Sequence, residues 1–294
     1  MAARNTLRRS FLYVPGSSQR FLDKSRSLTA DCVAYDLEDS VTPHMKAEAR
    51  SPRAESYRPA RAIGDPGTGI NSASDVTFVT DVVNHTLAQQ QQQSSSGPST
   101  RPPISLIALI ETAKSLTNLT EICKASPLLQ GLVFAAEDFA LDLSITRTPS
   151  LTEFLFARSA IATAARAANL PSTIDLVCTA YKSDKADGSP PAALEEECRD
   201  GRRLGFNGKQ CIHPSQAKTA DAIFGPQAEE TLWAMRVVIA DEKAAAAGRG
   251  AWTLDGKMID VPVAQKARAI VKKAEACGVD VAALREQWQH QEPE

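Results

Sequence analysis

Residues 104–138 read ISLIALIETAKSLTNLTEICKASPLLQGLVFAAED, and the fold follows from this stretch. Its two ends, ISLIALI and GLVFAA, are apolar runs of strand length. Between them Leu116, Leu119, Ile122 and Cys123 recur at helical spacing, which predicts strand, helix, strand with a right-handed crossover. The first run ends in Glu111 and the second in Asp138, so both carboxylates emerge at one end of a parallel sheet. Ligands bind at that end in open α/β sheets and barrels, because loops and helix N-termini converge there. Two hard oxygen donors from adjacent strand ends suit Mg²⁺, which takes one or two protein carboxylates and leaves its other positions to water and substrate. The same spacing also fits two solvated loop acids.

Outward from this unit the strand–helix alternation continues. SFLYVPG (10–16) reads as a strand ending at a Pro-Gly turn, with Ser17 or Ser18 placed to cap a helix containing Arg20, Phe21, Leu22 and Lys24. DCVAYDLED (31–39) is a second strand closing on Asp36, Glu38 and Asp39. Alternation sends Asp36 and Glu38 to one face and Asp39 to the other. In a barrel one of these parities faces the mouth near Glu111 and Asp138, where a carboxylate can accept protons or hold metal-bound water; helix capping is the duller reading. Another helix starts at Pro43. Residues 50–70 are rich in proline and arginine, and no buried strand can be placed in them.

A helix is expected over 71–88, capped by Ser72 or Ser74, and then a low-complexity surface insertion over 89–103. Beyond Asp138 the order is a loop (142–152), an Ala-rich helix (153–169), a strand (173–179), a polar loop, a helix (192–204) ending near Gly205, and a last strand (206–214). Residues 216–247 read as mostly helical, 248–262 as a glycine-containing β-hairpin with Asp255 and Asp260, and 263–277 as a helix. Six strands, nearly all followed by helices, give an α/β fold: a (β/α)8 TIM-type barrel short of about two strands, with the gap after the second. The expected division is a barrel over 8–247 and a hairpin–helix extension over 248–294.

The 294 residues carry 43% hydrophobic and 23% charged residues, the ordinary balance of a globular protein with a sizeable core. A net charge of −2 offers no case for nucleic acid or an anionic membrane surface, and no apolar run reaches the roughly 20 residues of a membrane span. Six cysteines without a CxxC pair read as buried free thiols in a reducing compartment. MAARNTLRR at the start is basic and free of acids, as in a transit peptide, yet the first strand begins at Ser10. The expected compartment is the cytoplasm, with the mitochondrion as the alternative. His213, before a proline at a strand end, reads as a structural hydrogen-bonding group, Lys209 as readily a solvated lysine, and Cys178 and Cys211 as core.

Taken together, RRSFLYVPGSSQRFLDKS, DCVAYDLEDSV, LIALIETAKSL, LVFAAEDFALDL, GFNGKQCIHPSQ and GAWTLDGKMIDVP resemble, in order and context, the citrate lyase beta subunit-like family of the HpcH/HpaI aldolase superfamily. The resemblance covers residues 8–277 with one interruption. It implies a (β/α)8 barrel, a homotrimer, Mg²⁺, and cleavage of acyl-CoA thioesters such as citryl-, malyl- or citramalyl-CoA. Residue by residue it implies Glu111 and Asp138 as metal ligands, with Glu111 also facing substrate. It further implies Asp260, in MIDVP, as an acid/base group reaching a neighbouring subunit's site, and Arg20 and Lys24 near the CoA phosphates.

Relatives also carry an arginine-bearing VRVN-type strand and a VPK-type strand before the IET strand. Here DPGTGI leads directly to NSASDVTFVTDVV, and none of Arg53, Arg58 and Arg61 stands in a matching motif. Carbon–carbon cleavage beside a thioester needs a base for the hydroxyl proton, a role open to a carboxylate of DLED such as Asp36 or Glu38 or to a metal-bound hydroxide, and a group that moves a proton at the acetyl methyl, the role the resemblance implies for Asp260. Two readings stay open: a Mg²⁺-dependent acyl-CoA lyase, and a non-catalytic or impaired variant lacking the arginine strand.

Overall fold

The computed structural model describes residues 7–49, 69–93, 104–183 and 189–294. All six expected strands are present: β1 (Ser10–Pro15), β2 (Cys32–Asp36), β3 (Leu106–Ile110), β4 (Leu129–Phe134), β5 (Ser172–Asp175) and β6 (Gly208–Cys211). They form one parallel sheet in the order β2-β1-β6-β5-β4-β3. That is the order of a TIM-type barrel opened between its second and fifth strands, so among the described residues β2 and β3 each have a strand neighbour on one side only. Arg53, Arg58 and Arg61 lie outside the described residues, as does most of 50–70.

The connecting helices are α1 (Gln19–Ser25), α2 (Lys46–Ala49, after a 3₁₀ turn at Pro43–Met45), α3 (Ala73–Gln93), α4 (Ala113–Thr117), α5 (Leu119–Ile122), α6 (Ala136–Leu143), α7 (Leu155–Ala167) and α8 (Ala192–Leu204). Ser18 caps α1 by accepting from Phe21 N, as the sequence suggests. The helix expected between β3 and β4 is broken at Asn118, which ends α4 and opens α5. α3 continues five residues past the expected limit: glutamine is a good helix former, and Gln89 Nε2 lies 2.9 Å from His85 Nε2 one turn back. The low-complexity tract therefore starts as helix, and residues 94–103 lie outside the described part. At the start of α3 Asp75 accepts from Asn71 N and Ser72 N, both at 2.9 Å, bonds that tie the preceding chain to the first turn.

On the concave face of the sheet Phe11, Ala34, Val133 and Ile174 are buried together, with Tyr13, Cys32, Ile107 and Leu109 packed on them but only partly covered. In a closed barrel such positions fill the interior. On the outer face Asp175 and Lys209, paired across β5 and β6, are fully buried.

Residues 8–221 make up this unit, and a second compact unit holds 222–294. α9 (Pro214–Phe224) spans the division, and α10 (Ala228–Ala246), β7 (Trp252–Leu254), β8 (Lys257–Ile259), α11 (Val261–Ala276) and α12 (Val281–Gln287) follow. The expected boundary at 247/248 falls inside the second unit, because Ala234, Val237, Val238, Ala240 and Ala244 of α10 share a core with Trp252, Leu254, Ile259, Ala264 and Ala267. The expected hairpin is present and antiparallel. Asp255 (φ 51°) and Gly256 (φ 72°) form its two-residue turn, the Asp-Gly pair that tight hairpins favour.

Candidate active site

Glu111 immediately follows β3 and is half-buried; it has the strand parity of Ile107 and Leu109, which line the concave face. Asp138 lies in the first turn of α6, whose start is tied to β3 by Ala135 N donating to Ile110 O at 3.0 Å. Asp36 shares parity with Ala34, and Glu38 and Asp39 come next in the chain.

These acids form one electrostatic cluster. Burial pushes the Glu111 carboxyl up to about 7, and the charges of Asp138, Glu38 and Asp39 push the same way. Asp138 is raised by burial and then by Asp39. Glu38 is raised by burial and by Asp39 and Asp36, with Lys46 opposing. Tyr13, on β1, belongs to the same group: burial drives its phenol far above its ordinary value, and Asp36, Glu111 and Asp138 add to the effect. Among the described residues the charges that shift Glu111 are those of Asp138, Glu38 and Asp39, so the pair fits a hard divalent cation, which would relieve the repulsion that now opposes ionisation.

Two contacts shape the site that no sequence motif announces. Asp36 is engaged by the backbone, accepting from Glu38 N (2.8 Å) and Ser40 N (3.0 Å) in a local turn where no helix starts. The backbone of Gly69 lies directly against Glu111: a Cβ there would stand 1.5 Å from Glu111 Oε1. The neighbouring chain is pinned by Thr112 Oγ1 donating to Asn71 Oδ1 (2.6 Å) and Asn118 Nδ2 donating to Asn71 O (2.9 Å). Only the residue type at 69, glycine before a helix start, hinted at this close approach.

The remaining expected residues fall elsewhere. Arg20 and Lys24 are exposed, four residues apart on α1. Asp260 belongs to the C-terminal unit, where its side chain caps α11 by accepting from Val263 N at 3.1 Å. His213 takes the structural role expected of it: Nδ1 accepts from Ser215 N (3.3 Å), and the ring stands 5.3 Å from that of Tyr181. Cys178 and Cys211 are core, and burial pushes the Cys211 thiol up to about 12. Lys209 is not solvated. It is completely buried, and Nζ donates to Glu197 at 2.9 Å, because a strand covered on both faces leaves no solvent side.

Comparisons with known proteins place the chain in a family. The model of the HpcH/HpaI aldolase/citrate lyase family matches residues 9–91 and 70–214. The chain belongs to that family. Among relatives of the HpcH/HpaI group, the citrate lyase subunit beta of Escherichia coli K12 is 33% identical over 92% of this chain and 95% of its own length. The mitochondrial citramalyl-CoA lyase of Homo sapiens is 31% identical, covering 91% and 85%. Among solved structures, CitE from Mycobacterium tuberculosis in complex with magnesium, acetoacetate and coenzyme A superposes with a TM-score of 0.68 at 26% identity, over 92% of this chain and 99% of that one. No helix among the described residues is long and apolar enough to cross a membrane.

Proposed function

We propose that this chain is a Mg²⁺-dependent carbon–carbon lyase that cleaves, or in reverse forms, a 3-hydroxy acyl-CoA thioester of the citramalyl, malyl or citryl class. The observation that carries the reading is the convergence of Glu111 and Asp138 at the C-terminal end of the sheet, where each is pushed up by neighbouring acids. The relatives named for citrate lyase and citramalyl-CoA lyase, and a CitE structure holding magnesium and coenzyme A, support it.

Glu111 and Asp138 would hold the metal. When bound, Mg²⁺ supplies a Lewis acid for the substrate oxygens. Glu38 or Asp36 would take the substrate hydroxyl proton as the carbonyl forms and the carbon–carbon bond breaks. The electron pair of that bond passes to the acetyl thioester as its enolate, and Asp260 of a second copy in a homotrimer would return a proton to the methyl carbon. Arg20 and Lys24 would meet the CoA phosphates. The compartment proposed is the cytoplasm, with the mitochondrion, where the human relative is named, as the alternative.

A second reading, a non-catalytic or impaired variant, draws on the sheet itself: β2 and β3 have one strand neighbour each among the described residues, and open edges weaken a barrel. Cleavage of a citramalyl-, malyl- and citryl-CoA panel separates the two. The lyase reading expects turnover that EDTA and Glu111→Ala both abolish. A cooperative thermal melt without turnover on any of the three would establish the variant reading instead.

A further inference from the structure

We infer that Asp142 and Arg147 are positioning residues that fix α6, and with it Asp138, relative to Glu111; the inference rests on the metal reading above. Asp142 lies one turn beyond Asp138 on α6, and its Oδ2 accepts from Ala113 N at 2.8 Å. Ala113 opens α4 two residues past Glu111, so this bond joins the segments bearing the two carboxylates. Arg147 acts on the other end of α6. Its Nη1 donates to Glu137, while Nη2 donates to Val177 O and to Glu197 Oε1, both at 3.0 Å. Glu197 is in turn fixed by Lys209, a fully buried lysine on β6.

The first turn of α6 carries two adjacent acids, Glu137 and Asp138, and Arg147 treats them differently. It engages Glu137 in an ion pair and leaves Asp138 to the acidic cluster. Without Arg147 the turn would present a second unpaired carboxylate and lose its tie to α8. Without Asp142 the Glu111 and Asp138 segments would keep the β3–β4 pairing and the backbone bond from Ala135 to Ile110, and would lose the bond from α6 itself to the start of α4. Groups that orient metal ligands in this way typically change metal affinity by 10- to 100-fold when removed.

Calorimetric titration of the full chain with Mg²⁺ at pH 8, beside a metal-free thermal melt, tests this. Asp142→Ala and Arg147→Met should each weaken Mg²⁺ binding by about tenfold or more, with the melt close to that of the parent protein. Asp142→Asn keeps an oxygen that accepts from Ala113 N, so it should bind as the parent does. Parent-like affinity in both Asp142→Ala and Arg147→Met overturns the inference, as does a loss that tracks a lowered melt and is not restored by Asp142→Asn. Mg²⁺ binding unchanged in Glu111→Ala would instead defeat the metal reading itself, which keeps the two failures distinct.

Discussion

Two groups of charged residues occupy opposite faces of the same sheet, and they are handled in opposite ways. At the mouth, Glu111, Asp138 and Glu38 are crowded with other acids, and all three are held above their ordinary values. Behind the sheet, Arg158 donates Nε to Asp175 (3.0 Å) and a second pair of bonds to Asp175 and Asp200 (2.6 and 2.5 Å), with Arg158 and Asp175 almost wholly buried. There, burial opposes the charges and is outweighed: hydrogen bonds from Arg158 hold Asp200 below the usual carboxylate range, and Asp175 and Glu197 keep Lys209 above its ordinary value. A buried charge is tolerated when it is paired and hydrogen-bonded. The paired set holds α7 and α8 on the sheet; the unpaired set stores repulsion that a cation would relieve.

The sharpest break of this contrast is Arg158→Ala, which removes both Arg158 hydrogen bonds to the buried Asp175 and leaves the charge of Lys209 beside it. It should cost about 3–5 kcal/mol in a denaturant melt, enough to threaten folding. At the mouth the sign reverses. Glu111 has a folded value of about 7, above its unfolded value, so the folded state holds an extra proton between roughly pH 4.5 and 7. Metal-free protein should therefore lose stability from pH 5 to pH 8. Glu111→Gln should remove most of that loss, making the metal-free variant more stable than the parent at pH 8 by about 1–2 kcal/mol, once solvent screening of a partly exposed group is allowed for.

Gly69→Ala sits between function and stability. Its methyl group must displace the Glu111 carboxylate, and Mg²⁺ affinity should fall about tenfold, roughly 1.4 kcal/mol by calorimetry. The smallest effect is expected on the outside of α8, where Arg199 pairs with Glu195 at 2.9 Å in solvent. Arg199→Ala should change the melt by no more than about 0.5 kcal/mol.

What could be read from the sequence was local. The six strands, the place of Glu111 at a strand end, the cap at Ser18 and the C-terminal hairpin all rest on patterns a few residues long. The gap could also be read, because the break in the strand–helix alternation after β2 matches the places where β2 and β3 have one strand neighbour each among the described residues. Partnerships across the chain could not. Arg158 finds Asp175 and Asp200, and Thr112 finds Asn71, at separations where no periodicity links the two positions. Lys209 looked solvated because lysine in a four-residue strand gives no sign of which helix covers it, and Tyr13 passed as an ordinary strand aromatic although it faces the acids.

The most direct test of the central claim is the proton balance of Mg²⁺ binding, read by calorimetry in buffers of different ionisation enthalpy at pH 6.5. With Glu111 near 7 in the metal-free protein, binding should release about half a proton or more, more weakly as pH falls, and Glu111→Ala should abolish it. Binding without proton release, or binding that survives Glu111→Ala, would contradict the claim that the acids at the mouth of the sheet are a cation site.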